Sequence, residues 1–363
     1  MAYLNSKGIG IAGIACAVPD NLVTVESFKS VFGNEIPDKF TAGTGIKTMY
    51  KALPEQTASD LAFAAAENLF SHNPVDRERI GVMIFVTQSP DYRRPSSACV
   101  LHKRLGLAMD CASLEVNLGC SGFVYGLQTA MNMMEQSDAE YGLLMIAETA
   151  SKLVDPMDKS IVMMYGDAGA AILLERQAAV RTCTLLRTDG NRYRSIILPA
   201  GGFRDMNPPR ERFKCGDDIE RTLYDIYMDG TSVFSFSISD VPKALKDYLK
   251  HTDTVVEDYD VFLFHQANQF IIRQLIKKLR LPAEKVPLSL DRYGNTGGIS
   301  IPLTICDRYG DSDEGCLRAL MSGFGIGLSW GVTSTVLDTT RVYPIVSTTD
   351  YYREGRITPE MLM

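Results

Sequence analysis

The chain has 363 residues, long enough to bury a large core and to suggest two domains or two fused structural halves. Hydrophobic residues make up 45% and charged residues 22%, ordinary for a globular protein, and no apolar run reaches the roughly 20 residues that span a bilayer. A net charge of −7 argues against general nucleic-acid binding, which needs a surplus of Lys and Arg against phosphate.

Residues 8–18 read as a first strand that stops at Pro19, rather than as the apolar core of a signal peptide. Gly8, Gly10 and Gly13 match the G-x-G-x-x-G spacing of dinucleotide sites, but no full strand precedes them and Pro19 stands where a helix should be under way. A helix is expected from Thr57, capped by Thr57 or Ser59, with Leu61, Ala65 and Leu69 on one face. Ile80–Val86 is a continuous apolar run, suited to a strand covered on both faces. A helix over about 97–107, a strand over 113–117 and a helix through Phe123, Leu127, Ala130 and Met134 follow, then a strand over 142–147 and another after Gly166.

Strands alternating with helices predict an α/β fold. The arginine-rich run from Arg181 to Lys214 reads as a solvated surface or a local basic patch, and beyond it Phe234, Ile238, Val241 and Leu245 form one helical stripe. The two halves echo each other: Ile80–Val86 is matched by Tyr259–His265, Lys103–Leu107 by Lys277–Leu281, the strand candidate Leu114–Val116 by Pro287–Leu290, and Gly119-Cys120 by Gly294-Asn295. This predicts one half over 1–180, a second over 181–337 and an extension over 338–363. In the extension, a short helix is expected from Pro359.

Cys120 is a lone thiol in Asn117-Leu-Gly-Cys-Ser-Gly-Phe123, between a strand and a helix. A helix N-terminus lowers a thiol pKa and favours attack, yet a single cysteine is by itself more often a core residue. His265 follows an apolar strand in Phe-His-Gln-Ala-Asn268, and Asn295 lies in Tyr-Gly-Asn-Thr-Gly-Gly298. The eight cysteines are scattered, without disulfide-framework or C-x-x-C spacing, so no metal site and a reduced, cytoplasmic setting are expected.

Together G-C-S-G-F, F-H-Q-A-N, G-N-T-G-G and Gly323-Phe-Gly-Ile-Gly-Leu-Ser-Trp-Gly331 resemble, in order and spacing, the ketoacyl-acyl carrier protein synthase III branch of the thiolase-like superfamily, over about residues 8–337. The resemblance implies a five-layered α/β/α/β/α thiolase-like duplication, usually homodimeric. It implies Cys120, His265 and Asn295 as catalytic residues, with an oxyanion hole from the backbone of Cys120, Gly325, Ile326 and Gly327. Cys120 would carry the acyl group, while His265 and Asn295 would both donate to the thioester carbonyl of a malonyl group as it loses carbon dioxide. No cofactor or metal is implied.

Partners implied are acyl carrier protein or coenzyme A thioesters, with Asn268, Lys152, Arg94 and Phe270 as substrate contacts. Lys39 and Gly43 stand where the family's tryptophan and arginine clamp the adenine of coenzyme A, and Phe270 replaces a frequent arginine. These departures favour delivery on a carrier protein. Arg94 suits a short or polar acyl chain if it points inward, and is a surface charge if it turns outward. An acyltransferase passing the acyl group to an alcohol or amine, and a non-catalytic acyl-binding homologue, are the competing readings. A papain-like protease is disfavoured by the sequence around Cys120.

Overall fold

The computed structural model describes residues 2–215 and 219–363. Nine strands carry the fold: β1 (Ala2–Pro19), β2 (Ile80–Val86), β3 (Ala112–Val116), β4 (Tyr141–Glu148), β5 (Ala168–Thr188), β6 (Val261–Phe264), β7 (Cys316–Gly325), β8 (Ser329–Asp338) and β9 (Val346–Thr348). The principal helices are α1 (Ala58–His72), α2 (Ser97–Leu105), α3 (Gly122–Glu135), α4 (Gly230–Thr252), α5 (Gln269–Leu279), α6 (Leu290–Tyr293) and α7 (Ser300–Tyr309).

Hydrogen bonding joins the nine strands in the order β6-β7-β8-β5-β4-β2-β3, with β1 on β5 and β9 on β1. Packing divides this sheet into two layers, because β1 and β5 are long enough to serve both. Residues 168–175 of β5 pair with β4, whereas residues 183–188 pair with β8. The register between β1 and β5 shifts at Lys7/Ile9, between those two parts. The division near residue 180 therefore falls inside a strand.

Three of the four apolar cores among the described residues fill the spaces between five layers, the central one reaching both faces of the middle layer. On β2, Ile80, Met83 and Phe85 face α1 and α2, while Val82, Ile84 and Val86 face a middle layer of α3 and α7. On β6, Val261 and Leu263 face that same middle layer, and Phe262 and Phe264 face α4 and α5 on the far side. The apolar runs thus serve strands covered on both faces, each buried large side chain contributing about 1.5–3 kcal/mol.

Thr57 caps α1 through a capping box in which the Asp60 carboxylate accepts from the Thr57 N–H at 2.8 Å. The expected strand at Pro287–Leu290 does not form. Residues 287–289 are irregular and Leu290 opens α6. The Gln266 side chain takes up this segment instead, donating to Pro287 O at 3.4 Å and accepting from Ser289 N at 3.4 Å, so no strand ladder is available.

Beyond β8, β9 runs parallel to β1, and the short helix expected from Pro359 forms as a 3-10 helix over Pro359–Leu362. Three arginines of the arginine-rich run are paired with carboxylates: Arg187 with Asp247 at 2.6 Å, Arg192 with Asp189 at 2.7 Å, and Arg212 with Asp155 at 2.6 Å.

Candidate active site

Cys120 lies in the turn between β3 and α3, where Gly122 N donates to Gly119 O at 2.7 Å. The glycine-rich end of β7 closes on it. A Cβ at Gly325 would stand 2.7 Å from Cys120 Cβ and 2.9 Å from its Sγ, so only glycine fits, and the backbone has φ +158°. The backbone N–H groups of Ile326 and of Cys120 itself favour the thiolate form of the sulfur.

His265 follows β6, held by its N–H on Ser322 O at 2.9 Å, with its ring edge-on to Phe324 at 5.4 Å. Asn295 follows α6 after Gly294, whose φ of +68° turns the chain. Asn295 N donates to Met164 O at 2.8 Å and Gly166 N to Asn295 O at 3.1 Å, which ties this loop to the segment leading into β5. Gly297 N donates to Asn295 Oδ1 at 3.0 Å, and this aims the amide NH2 the other way.

Cys120, His265, Asn295, Asn268, Tyr165 and Phe324 line one cavity of about 110 Å³. His265 and Asn295 are 2% and 5% exposed, so water is largely excluded from both. Burial pushes the imidazole down to about 4 and keeps it neutral near pH 7. The lowered thiol pKa expected at a helix N-terminus is not what the surroundings produce. Burial, with the nearby Glu148 carboxyl adding to it, pushes Cys120 up to about 11 against the two backbone N–H groups.

The remaining residues singled out in the sequence divide. Asn268 caps α5, its Oδ1 accepting from Ile271 N at 2.8 Å. Phe270 is 49% exposed and stacks on Phe234, itself a wall of the cavity. Lys152 is exposed and donates to Pro54 O at 3.0 Å and to Gln56 O. Arg94 turns outward in this chain, its guanidinium 5.8 Å from the Phe203 ring. Lys39 pairs with Glu35 on an exposed helix over Glu35–Thr44, and Gly43 on that helix faces open space.

Sequence reasoning passed over three groups. Ser300 stands on the first turn of α7 with its Oγ 2.8 Å from His265 Nδ1. Tyr165 is a buried wall of the cavity. Glu148 ends β4 with its carboxyl buried, accepting from Gln88 N at 2.7 Å and from Ser89 Oγ at 2.8 Å, and burial pushes it up to about 8. A lone acid closing the apolar run 142–147 was the available signal for Glu148.

Residues 114–190 match the family model for 3-oxoacyl-[acyl-carrier-protein] synthase III, and residues 249–336 match the model for its C-terminal part. The putative 3-oxoacyl-[acyl-carrier-protein] synthase 3 of Campylobacter jejuni is 30% identical over 92% of this chain and 94% of its own length. A β-ketoacyl-[acyl-carrier-protein] synthase III of Clostridium perfringens is 31% identical over 88% of this chain and 97% of its own. The chain belongs to this family. The crystal structure of a 3-oxoacyl-(acyl-carrier protein) synthase from Burkholderia xenovorans superposes with a TM-score of 0.89 at 32% identity, covering 96% of this chain and 99% of that one. The synthase III fold is thiolase-like, and the two sheet layers with the helices on their outer faces and between them are its five layers in this chain. The family models cover Cys120, Tyr165, His265, Asn268, Asn295 and Phe324, while the cavity walls at Ile196 and from Met228 to Ser237 lie between the two matched ranges.

Proposed function

We propose that the protein is a condensing enzyme that joins an acyl thioester to a malonyl thioester with loss of carbon dioxide, and that Cys120, His265 and Asn295 carry the reaction. The reading rests above all on the convergence of these three residues, from separate parts of a synthase III chain, on one small dry cavity. Cys120 attacks the acyl thioester and holds the acyl group as a second thioester. The oxyanion that forms lies toward the backbone N–H groups of Cys120 and of the Gly325-Ile326-Gly327 turn, donors already in place in a site shielded from water. In the second transfer the Asn295 amide donates to the thioester oxygen of the malonyl group, so that loss of carbon dioxide leaves an enolate, which attacks the acyl-Cys120 carbonyl. His265, its imidazole buried and kept neutral, is the second donor to that oxygen. Neither step calls on a metal or cofactor.

The cavity volume supports a small acyl group, since pockets for larger ligands run to roughly 300–1,000 Å³. Delivery on an acyl carrier protein fits the exposed Lys39–Glu35 pair and the open Gly43, which form no adenine clamp. Asn268 contacts the incoming thioester, and Lys152, Phe270 and Arg94 act outside the cavity, Arg94 toward a second copy of the chain. We further assign a cytoplasmic homodimer, supported by eight free cysteines and by β3, an edge strand that exposes Leu114. The halves 1–180 and 181–337 with the extension 338–363 complete this proposal.

Incubation with short acyl thioesters, read by intact mass, is expected to add one acyl group, and Cys120→Ala to add none. Malonyl carrier protein labelled in its free carboxyl is then expected to release labelled carbon dioxide with a lengthened product. Asn295→Ala should lower this release by roughly 10²–10³-fold, as expected when an oxygen-stabilising donor is lost. No adduct on the wild-type chain would leave a non-catalytic homologue. An adduct passed to an alcohol or amine without carbon dioxide would make it an acyltransferase.

A further inference from the structure

In the turn after β7, Gly325 and Gly327 flank Ile326 with φ of +158° and +133°, backbone that residues with a side chain rarely adopt. A segment with glycine on either side has little stiffness of its own, so contacts must hold Ile326 in place. Two such contacts run toward the nucleophile turn. The Ile326 side chain rests on Gly119, where an added Cβ would stand 2.7 Å from Ile326 Cγ2. The Ile326 carbonyl accepts from Ser329 Oγ at 2.9 Å, and Ser329 Oγ lies 2.7 Å from Ser121 Oγ. A carbonyl only accepts, so the Ser329 proton goes to Ile326 O and the Ser121 hydroxyl donates to Ser329. Ser121 occupies the N-cap of α3, where a serine side chain ordinarily accepts from the first N–H groups of the helix, yet it makes no such bond. The hydroxyl beside the nucleophile is given to the facing hairpin instead. Ser121 and Ser329 are 0% and 2% exposed, so no water takes over either bond. We propose that Ser121 and Ser329 are positioning residues, a two-hydroxyl relay from the nucleophile turn to the Ile326 carbonyl that fixes the turn on which the oxyanion of acyl transfer is received.

This rests on the condensing-enzyme reading, and on its acyl-transfer step alone. Ser329 opens β8 opposite Gly325 in the ladder, so its hydroxyl reaches back over the turn, while Ser121 directly follows Cys120. A displacement of either segment is thereby carried to the other, and the N–H groups of Cys120 and Ile326 keep one spacing. That spacing matters because charge reaches the acyl oxygen only as the tetrahedral species forms, and donors already in place stabilise it there. Loosening the relay leaves the binding of the uncharged thioester alone and slows the chemical step.

Acylation of Cys120 by the acetyl thioester of N-acetylcysteamine, followed by intact mass over a range of thioester concentrations, gives a limiting rate and a half-saturating concentration. Ser329→Ala is expected to lower the limiting rate roughly tenfold, part of the roughly 10²–10³-fold that follows outright loss of such a donor, with the half-saturating concentration unchanged. Ser329→Thr keeps the hydroxyl and should restore the rate. Ser121→Ala leaves Ser329 on the Ile326 carbonyl and should slow acylation roughly threefold, the scale of one neutral hydrogen bond. The double variant decides whether the two act in series: because Ser121 works only through Ser329, it should match Ser329→Ala alone. Single effects that multiply, an unchanged limiting rate in Ser329→Ala, or a Thr variant that stays slow overturns the proposal. Should Ser329→Ala fail to fold, an unchanged rate in Ser121→Ala overturns it equally. If these dependences appear while the acylated protein releases no carbon dioxide from a malonyl thioester, the condensing reading fails and the relay stands. A wild-type chain that takes no acyl group overturns both.

Discussion

At the scale of single residues, burial keeps His265 in the cavity and Glu148 at the end of β4 uncharged, and the two make folding depend on pH in opposite senses. Glu148 titrates near 8 in the folded chain against an ordinary value of 4.5. Between those values the unfolded chain has released its proton and the folded chain has not, so this contribution is full below the ordinary value and is lost as pH rises through about 8. His265 titrates near 4 against 6.5, so its contribution is full above 6.5 and is lost as pH falls through about 4. Glu148→Gln keeps the shape and the acceptor for Gln88 N while removing the titration. Denaturant midpoints followed upward from about pH 5 to about pH 8 are therefore expected to fall more steeply in the wild type than in this variant, by on the order of a few kcal/mol across the range. Parallel curves would mean that Glu148 is already ionised in the fold.

At the scale of elements, β7 and the turn at Cys120 behave as one unit because Gly323 lets their backbones meet and Gly325 leaves room for the Cys120 side chain. Gly325→Ala introduces a methyl group closer to Cys120 Sγ than packed carbon and sulfur tolerate. The variant is expected to keep the far-ultraviolet signature of the fold and to lose roughly 10²-fold in acylation of Cys120, the scale of a nucleophile displaced by about an ångström. Wild-type acylation rates would show that the turn yields without moving the sulfur. The legibility of each element followed its chemistry. Ile80–Val86 and Tyr259–His265 were readable as echoes because a strand covered on both faces must be apolar at every position, whichever half it belongs to. Pro287–Leu290 carries a similar local pattern, yet the Gln266 side chain took its backbone groups, and a contact set by a residue 21 positions away leaves no mark on periodicity. Cys120, His265 and Asn295 were found through the order of four motifs. Their electrostatics were not, because a thiol's pKa depends on what packs around it, and α3 alone predicts the wrong sign.

At the scale of the whole molecule, residues 346–352 pack back on β1, α1 and α2 and seal a buried charge pair there. Asp60, which caps α1, pairs with Arg104 of α2 at 2.9 Å with side chains 2% and 8% exposed. Tyr352 N donates to Asp60 Oδ1 at 2.8 Å, and its ring lies 4.7 Å from the Arg104 guanidinium. Gln56 Nε2 donates to Thr348 O at 2.9 Å and to Asp350 O at 3.1 Å, while β9 adds a strand to β1. None of these residues lines the Cys120 cavity. Each such hydrogen bond is worth about 0.5–1.5 kcal/mol net, and removing a neighbour from a buried ion pair adds the cost of wetting it unevenly. Deleting residues 346–363 is therefore expected to lower Tm by roughly 5 °C or more, with Tyr352→Ala giving a smaller part of the same shift, while acylation of Cys120 at a temperature where both fold is unchanged. Equal Tm values would reduce the extension to a passive covering. A loss of acylation in the folded deletion variant would instead tie it to the site, through the Asp91–Pro95 loop that Tyr92 fastens to Gly355 O.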